Sequence, residues 1–234
     1  MWAARPYDRP VDVRGSVERH LVATFGPATG RAGVTFLGAE PIDVLRFGPR
    51  PDGVYRYATV GMSAEPMGDP AASAHDPSGP RAELVLSLRA PRDTVVRQLA
   101  MLAAIPAIEG MVVVAGAGLD LGAALWDGAP FQGVLVGEPG GLVADLPLVA
   151  ALGLPDPGLP LDGFPDPGIA DLSSTDPGST AAGGPAPVRF LPLFPMTPAE
   201  SAFKRAQGAA ALRERWLVDE LDLRDPTRRE ARLP

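Results

Sequence analysis

Residues 146–187 have almost nothing to bury, and this restricts the chain more than any other feature. They are dominated by Pro, Gly, Asp, Ala and Ser, with the near-repeat Leu154-Pro155-Asp156-Pro157-Gly158 and Phe164-Pro165-Asp166-Pro167-Gly168. Proline brings no amide donor, glycine is costly to order, and the few apolar side chains offer too little area to offset that cost. The segment reads as a surface insertion or disordered linker, so the fold must be built from what lies on either side. The expected partition is a flexible arm over 1–14, one domain made of 15–145 and 188–225, and the insertion between its two parts.

The flanking parts break into short elements. Val17, Leu21 and Phe25 have helical spacing, with Ser16 as the expected cap and Gly26-Pro27 as the stop. Strands are expected over 34–37, 42–47 and 54–60, joined as an antiparallel meander, the second turn ending in Asp52-Gly53. Residues 62–80 form a long loop, and Leu84, Leu86 and Leu88 alternate along a strand over 83–89. Pro91 opens a helix with Val95, Leu99, Leu102 and Ile105 on one face, and Pro106 should end it. Short strands are expected over 111–114, 131–136 and 188–194. Thr197-Pro198-Ala199-Glu200 then reads as a capping box opening a helix through Phe203, Gln207, Ala210 and Trp216 to near Glu220. Trp126, Phe131, Phe190, Phe194 and Trp216 are expected in or at the edge of the core. The sum is a single α+β domain with a mixed, largely antiparallel sheet flanked by helices.

Composition removes several function classes. The 234 residues include no cysteine and two histidines, which excludes disulfide frameworks, thiol nucleophiles and iron–sulfur or zinc-ribbon sites. A net charge of −7 argues against binding a phosphate backbone, an affinity that comes from clustered cations. Leu99 to Ile108, the longest apolar run, is too short to span a bilayer, and Met1 to Pro10 lack the apolar core of a secretory signal. No cofactor, metal, nucleic acid or membrane partner is expected, and a cytoplasmic protein is. The single lysine, Lys204, among many arginines, with abundant Ala, Gly and Pro, points to the coding bias of a GC-rich, bacterial genome.

Three sets of residues invite a chemical reading. Val112-Val113-Val114-Ala115-Gly116-Ala117-Gly118 with Glu138 imitates a dinucleotide fingerprint, but the third glycine, Gly122, comes one residue late and 120–129 is too short for the crossover helix. A nucleotide- or small-molecule-binding enzyme using the Gly116/Gly118 loop is therefore the alternative reading. His75-Asp76 with Glu65 and Asp69 lies in a loop that supplies no pocket, and Ser63 has no nucleophile elbow around it. His20, near the apolar face of the first helix, reads as a packing residue.

Tyr57-Ala58-Thr59-Val60-Gly61-Met62-Ser63, followed after a loop by Gly79-Pro80-Arg81-Ala82-Glu83-Leu84, resembles the suppressor of fused family, whose animal members carry a Tyr-x-x-x-Gly-x-Ser strand end before a Gly-rich loop and a Glu-Leu strand. The helix over 91–105, the strand Phe131 to Pro139, and Val188 to Leu193 before Thr197 continue the same order, over about residues 15–220. The resemblance is greatest to the short bacterial members. It implies an α+β domain without catalytic residues that binds another protein. Animal members sequester a zinc-finger transcription factor of Hedgehog signalling, and bacterial members are inferred to be immunity proteins that neutralise toxins. Here Ala64-Glu65 stands where the animal pattern has Asp-Leu, and no room is expected for the animal C-terminal domain. Tyr55, Tyr57, Met62, Glu65 and Asp69, at the strand end and its loop, are the expected contact residues for a protein partner, a toxin or another basic protein. The Pro-Asp-Pro-Gly segment is a second candidate for the binding element.

Overall fold

The computed structural model describes residues 12–36, 40–68, 76, 78–148 and 185–234. Residues 1–11 of the expected arm over 1–14 and most of the expected insertion, with its near-repeat, lie outside the described residues, while Val13 and Arg14 already belong to a helix. Seven strands form one sheet: β1 (Gly30–Val34), β2 (Ile42–Phe47), β3 (Tyr55–Val60), β4 (Arg81–Leu88), β5 (Gly118–Asp120), β6 (Gly133–Val136) and β7 (Val188–Met196), in the order β1-β2-β3-β4-β7-β6-β5. Only β4 and β7 pair in parallel; every other neighbour is antiparallel. The expected mixed, largely antiparallel α+β sheet is thus the fold observed.

Strand alternation sorts the core into layers. Val44, Tyr57, Leu84, Leu86, Leu191 and Leu193 point to one face, beneath α2 (Val95–Glu109). Leu45, Phe47, Ala58, Val60, Val85 and Phe190 point to the other, beneath α1 (Val13–Phe25). The third helix, α3 (Pro198–Val218), buries Leu212 and Trp216 against Leu135 and Met196. Prolines inside a strand with two neighbours would normally cost ladder bonds. In β7, Pro192 lies opposite the end of β6 and its carbonyl accepts from the Gly137 N–H at 2.7 Å, while the Pro195 carbonyl turns to Arg228 at 2.7 Å.

Several boundaries differ from expectation, each for a tertiary reason. Helix α1 starts at Val13 and its cap is Asp12, whose carboxylate accepts from the Gly15 N–H at 2.8 Å; Ser16 is a buried residue inside the helix. Strand β1 occupies 30–34 rather than 34–37, because its register against β2 ends with Val34 opposite Ile42, and Thr35 and Phe36 belong to no strand. Helix α2 begins at Val95, since 92–93 are tied to the sheet by the Tyr57 hydroxyl. Pro106 lies inside its last turn instead of ending it; Gly110, at φ 70°, closes the helix by donating its N–H to the Pro106 carbonyl. Residues 111–114 are apolar but form no strand: β6 has β7 and β5 as its two neighbours, and Met111, Val112 and Val114 are exposed. The capping box is complete, with Glu200 N–H donating to Thr197 Oγ1 at 3.2 Å and Thr197 N–H to Glu200 Oε2 at 3.0 Å. Helix α3 is kinked at Gly208 (φ 90°). The domain also continues past 225, for Arg228 and Ala231 are buried.

Candidate functional site

The segment running from β3 into a short 3-10 turn (Met62–Ala64) is shaped by one buried carboxylate. Glu83, on β4, has no exposed surface. Its Oε1 accepts from the Gly61 N–H (2.9 Å), the Ser63 N–H (3.0 Å) and the Ser63 hydroxyl (2.6 Å), and its Oε2 accepts from the Thr59 hydroxyl (2.6 Å). Buried Arg81 donates to the Ser63 and Ala64 carbonyls at 2.8 and 2.7 Å, and burial pulls its guanidinium below the usual arginine value. Gly61 sits at φ 131°, where a Cβ would come within 2.8 Å of the Pro41 carbonyl, so the turn requires glycine. The residues that carry the family resemblance, Thr59, Gly61, Ser63 and Glu83, therefore meet in a single hydrogen-bonded knot. Sequence reasoning did not name Glu83 as a site residue, although the Glu-Leu strand of the resemblance included it.

The five expected contact residues divide. Glu65 is exposed and Tyr55 is half-buried. Tyr57 and Met62 correct the expectation: both are buried, Tyr57 completely, because their face of β3 and its turn is the one covered by α2. Asp69 and His75 lie outside the described residues. Met62 and Glu65 border a cavity of about 410 Å³ floored by Ala103, Ala104 and Ala107 of α2, with Glu40 at its edge. Tyr57 reaches a second cavity, of about 680 Å³, that Arg31, Arg46, Asp93 and Arg97 also line. There its hydroxyl donates to Asp93 Oδ1 at 2.9 Å and accepts the Arg92 N–H at 2.8 Å, while Arg46 pairs with Asp93 Oδ2 at 2.6 Å. Burial chiefly, with Asp93 adding to it, pushes the Tyr57 phenol up to about 12.

Tyr57→Phe is expected to cost about 1–2 kcal/mol, since a half-buried bond to the Asp93 carboxylate is lost and the Arg92 N–H is left unpaired. A urea titration at neutral pH checks it. In the intact protein the phenol stays protonated in the folded state where an unfolded one ionises, so stability falls as pH rises above 10.

Glu83 is fully buried and already accepts from four internal donors, and Ser63 donates its hydroxyl to that carboxylate. His20 stacks on Phe190 (centroids 5.3 Å apart) with Nε2 2.8 Å from the Ala144 carbonyl, a packing role as expected. The glycine-rich loop does not form a nucleotide cradle: the Gly116 N–H is spent on the Val136 carbonyl, Gly118 starts β5, and a loop rather than a helix follows it. Glu138 is exposed and faces Arg213. Among the described residues no cluster of metal-ligating side chains occurs, and no helix is long and apolar enough to cross a membrane.

The fold and its hydrogen-bonded corner define a class: α+β domains in which a mixed sheet carries a Gly-x-Ser turn clamped by an acid of the next strand. The family model for the suppressor of fused protein matches residues 38–229, and the chain belongs to that family. Among solved structures, a suppressor of fused homologue from Neisseria gonorrhoeae FA 1090 is similar at 17% identity and TM-score 0.57, covering 95% of this chain and 98% of that one. A Sufu-Fu complex matches at 10% identity and TM-score 0.56, over 95% of this chain and 93% of the matched chain. Drosophila Suppressor of Fused matches at 13% identity and TM-score 0.58; 98% of this chain is covered but it spans about half, 54%, of the Drosophila chain. At these identities the likeness is one of fold. No curated protein matches the sequence.

Proposed function

We propose that this chain acts by binding another protein and turns over no substrate, with Tyr55, Glu65 and Asp69 as the contact rim and Tyr57 and Met62 supporting it from beneath. The observation that carries this reading is the Glu83 knot: it engages the buried acid with internal donors while fixing the backbone that presents Glu65. Family membership supports it, as does the solved complex of a relative with Fu. The acidic balance favours a basic partner, since opposite charge speeds encounter more than it raises final affinity. A toxin encoded beside this chain, neutralised in the cytoplasm of a bacterium, is the partner this reading favours.

Co-expression with the product of the neighbouring gene tests the immunity role. Rescue of growth together with a co-purifying complex supports it; toxicity undiminished by this chain, with no complex formed, overturns it. In such a complex Tyr55→Ala combined with Glu65→Ala is expected to weaken binding about tenfold or more, the range of interface anchors, with little change in melting temperature. An affinity equal to that of the unaltered protein, measured by calorimetry, rules out this rim.

A further inference from the structure

Between β1, β2 and the first turn of α2, the cavity of about 680 Å³ beside Tyr57 holds groups that the partner-binding reading leaves unused. Part of its lining is apolar, from Ala32 and Val34 of β1, Val44 of β2 and Val96 of α2. Its polar groups fall into two sets. Arg31 pairs with Glu18 and Asp43, and Arg46 and the Tyr57 hydroxyl both bind Asp93, so these have their partners within the chain. Those pairs leave Arg97 and Asp127 without an opposite charge among the described residues, and the buried Gln98 Oε1 accepts no hydrogen bond. The unused groups gather at one end of the cavity. Arg97 and Gln98 stand three and four residues after Thr94, one helical turn on, and the Asp127 N–H donates to Thr94 Oγ1 at 3.1 Å. The first turn of α2 contains no acid and Thr94 caps it with no side-chain bond, so its free amides add to the positive field beside Arg97.

We propose that this cavity binds an aliphatic amino acid, either free or as a short peptide with both ends charged. The carboxylate is held by Arg97, whose planar fork matches it, and the ammonium by Asp127 with the Gln98 oxygen, while the aliphatic side chain rests on Ala32, Val34 and Val44. An apolar cavity of this size with a few polar groups at one end is the usual form of a small-molecule site. Net charge selects this class over a bare anion. The chain carries −7 and repels anions, whereas a zwitterion has no net charge to repel. The exposed rim at Tyr55 and Glu65 takes no part, so the site stands or falls independently of the proposed partner binding.

Isothermal titration calorimetry of the full chain with L-leucine and, separately, with the dipeptide leucyl-leucine tests it. Saturable binding of at least one is expected below about 10 mM, and the tighter of the two identifies the source. Leucinamide, which lacks the carboxylate, and N-acetyl-leucine, which lacks the ammonium, are each expected to bind about tenfold or more weakly than leucine, the effect of losing a charge-assisted bond. Arg97→Gln and Asp127→Asn should each weaken binding by a similar factor. Both positions are exposed, so circular dichroism should show both variants folded, and Arg215→Gln, at an exposed arginine of α3, should leave the affinity unchanged. Absence of saturable binding by both ligands overturns the inference. So does an affinity that survives Arg97→Gln and Asp127→Asn undiminished.

Discussion

Glu83→Ala is expected to leave the chain largely unfolded at 37 °C. The substitution removes the acceptor for the N–H groups of Gly61 and Ser63 and for the hydroxyls of Ser63 and Thr59, all buried. An unsatisfied buried donor costs about 1–3 kcal/mol, so four approach or exceed about 4 kcal/mol, against a total stability of about 5–15 kcal/mol for a domain. Glu83→Gln should cost markedly less. Its amide oxygen can occupy the Oε1 position, where three of the donors converge, while its NH2 group faces the Thr59 oxygen. Urea unfolding followed by tryptophan fluorescence separates the two variants. A Glu83→Ala protein within about 1 kcal/mol of the unaltered one would show that the knot adds little beyond what water supplies on unfolding.

Arg228→Met is expected to be comparably severe, and its effect to depend on pH. Arg228 and Glu200 are 2% and 0% exposed and 2.7 Å apart, with Arg228 donating to both carboxylate oxygens. Glu200 also accepts from the N–H groups of Thr197 and Ala231 and from the Trp216 indole, and the guanidinium lies 4.7 Å from the Phe131 ring centroid. Removing one member of such a pair strands the other charge in the core, a loss of about 3–5 kcal/mol. Burial pushes the Glu200 carboxyl up, but the bonds and charge of Arg228, with the Thr197 and Ala231 amides, outweigh it and hold the group below its ordinary value of 4.5. A carboxyl depressed in the folded state adds stability that is complete above its unfolded value and fades as pH falls through its folded one. The denaturation midpoint of the unaltered protein should therefore drop on acidification below about 4.5. In Arg228→Met the midpoint should start lower at pH 7 and fall less steeply, since Asp93 and Asp222, the latter held at about 2, still contribute. Parallel midpoint curves for the two proteins would refute the coupling.

The elements legible in advance were those whose cause is local. Thr197-Pro198-Ala199-Glu200 makes its two reciprocal bonds within four residues, so the start of α3 was readable from four letters. The β-prone run Ile42 to Phe47 lies between two turn signals, which was enough to give 42–47 without a partner in view. The apolar run at 111–114 misled because β-propensity says nothing about whether a neighbouring strand has an edge to offer. Pro106 misled because a proline one turn from a helix end costs little once Gly110 closes that end.

At the candidate site, the Tyr-x-x-x-Gly-x-Ser pattern was enough to suggest the family, and it named Glu65 and Tyr55 as neighbours of a strand end. That Tyr57 faces inward depends on which side of β3 α2 comes to cover, and alternation alone leaves the two sides equivalent. Glu83 meets Thr59, Gly61 and Ser63 across a gap of at least 20 residues, and Arg228 meets Glu200 across 28. The sequence by itself determined the class of fold, the start of α3 and the turn at Asp52-Gly53, because backbone geometry and neighbouring side chains act over a few residues. Only the tertiary structure decided which acids are buried and what satisfies them, because strand pairing and helix packing bring together groups whose separation along the chain carries no trace of their contact.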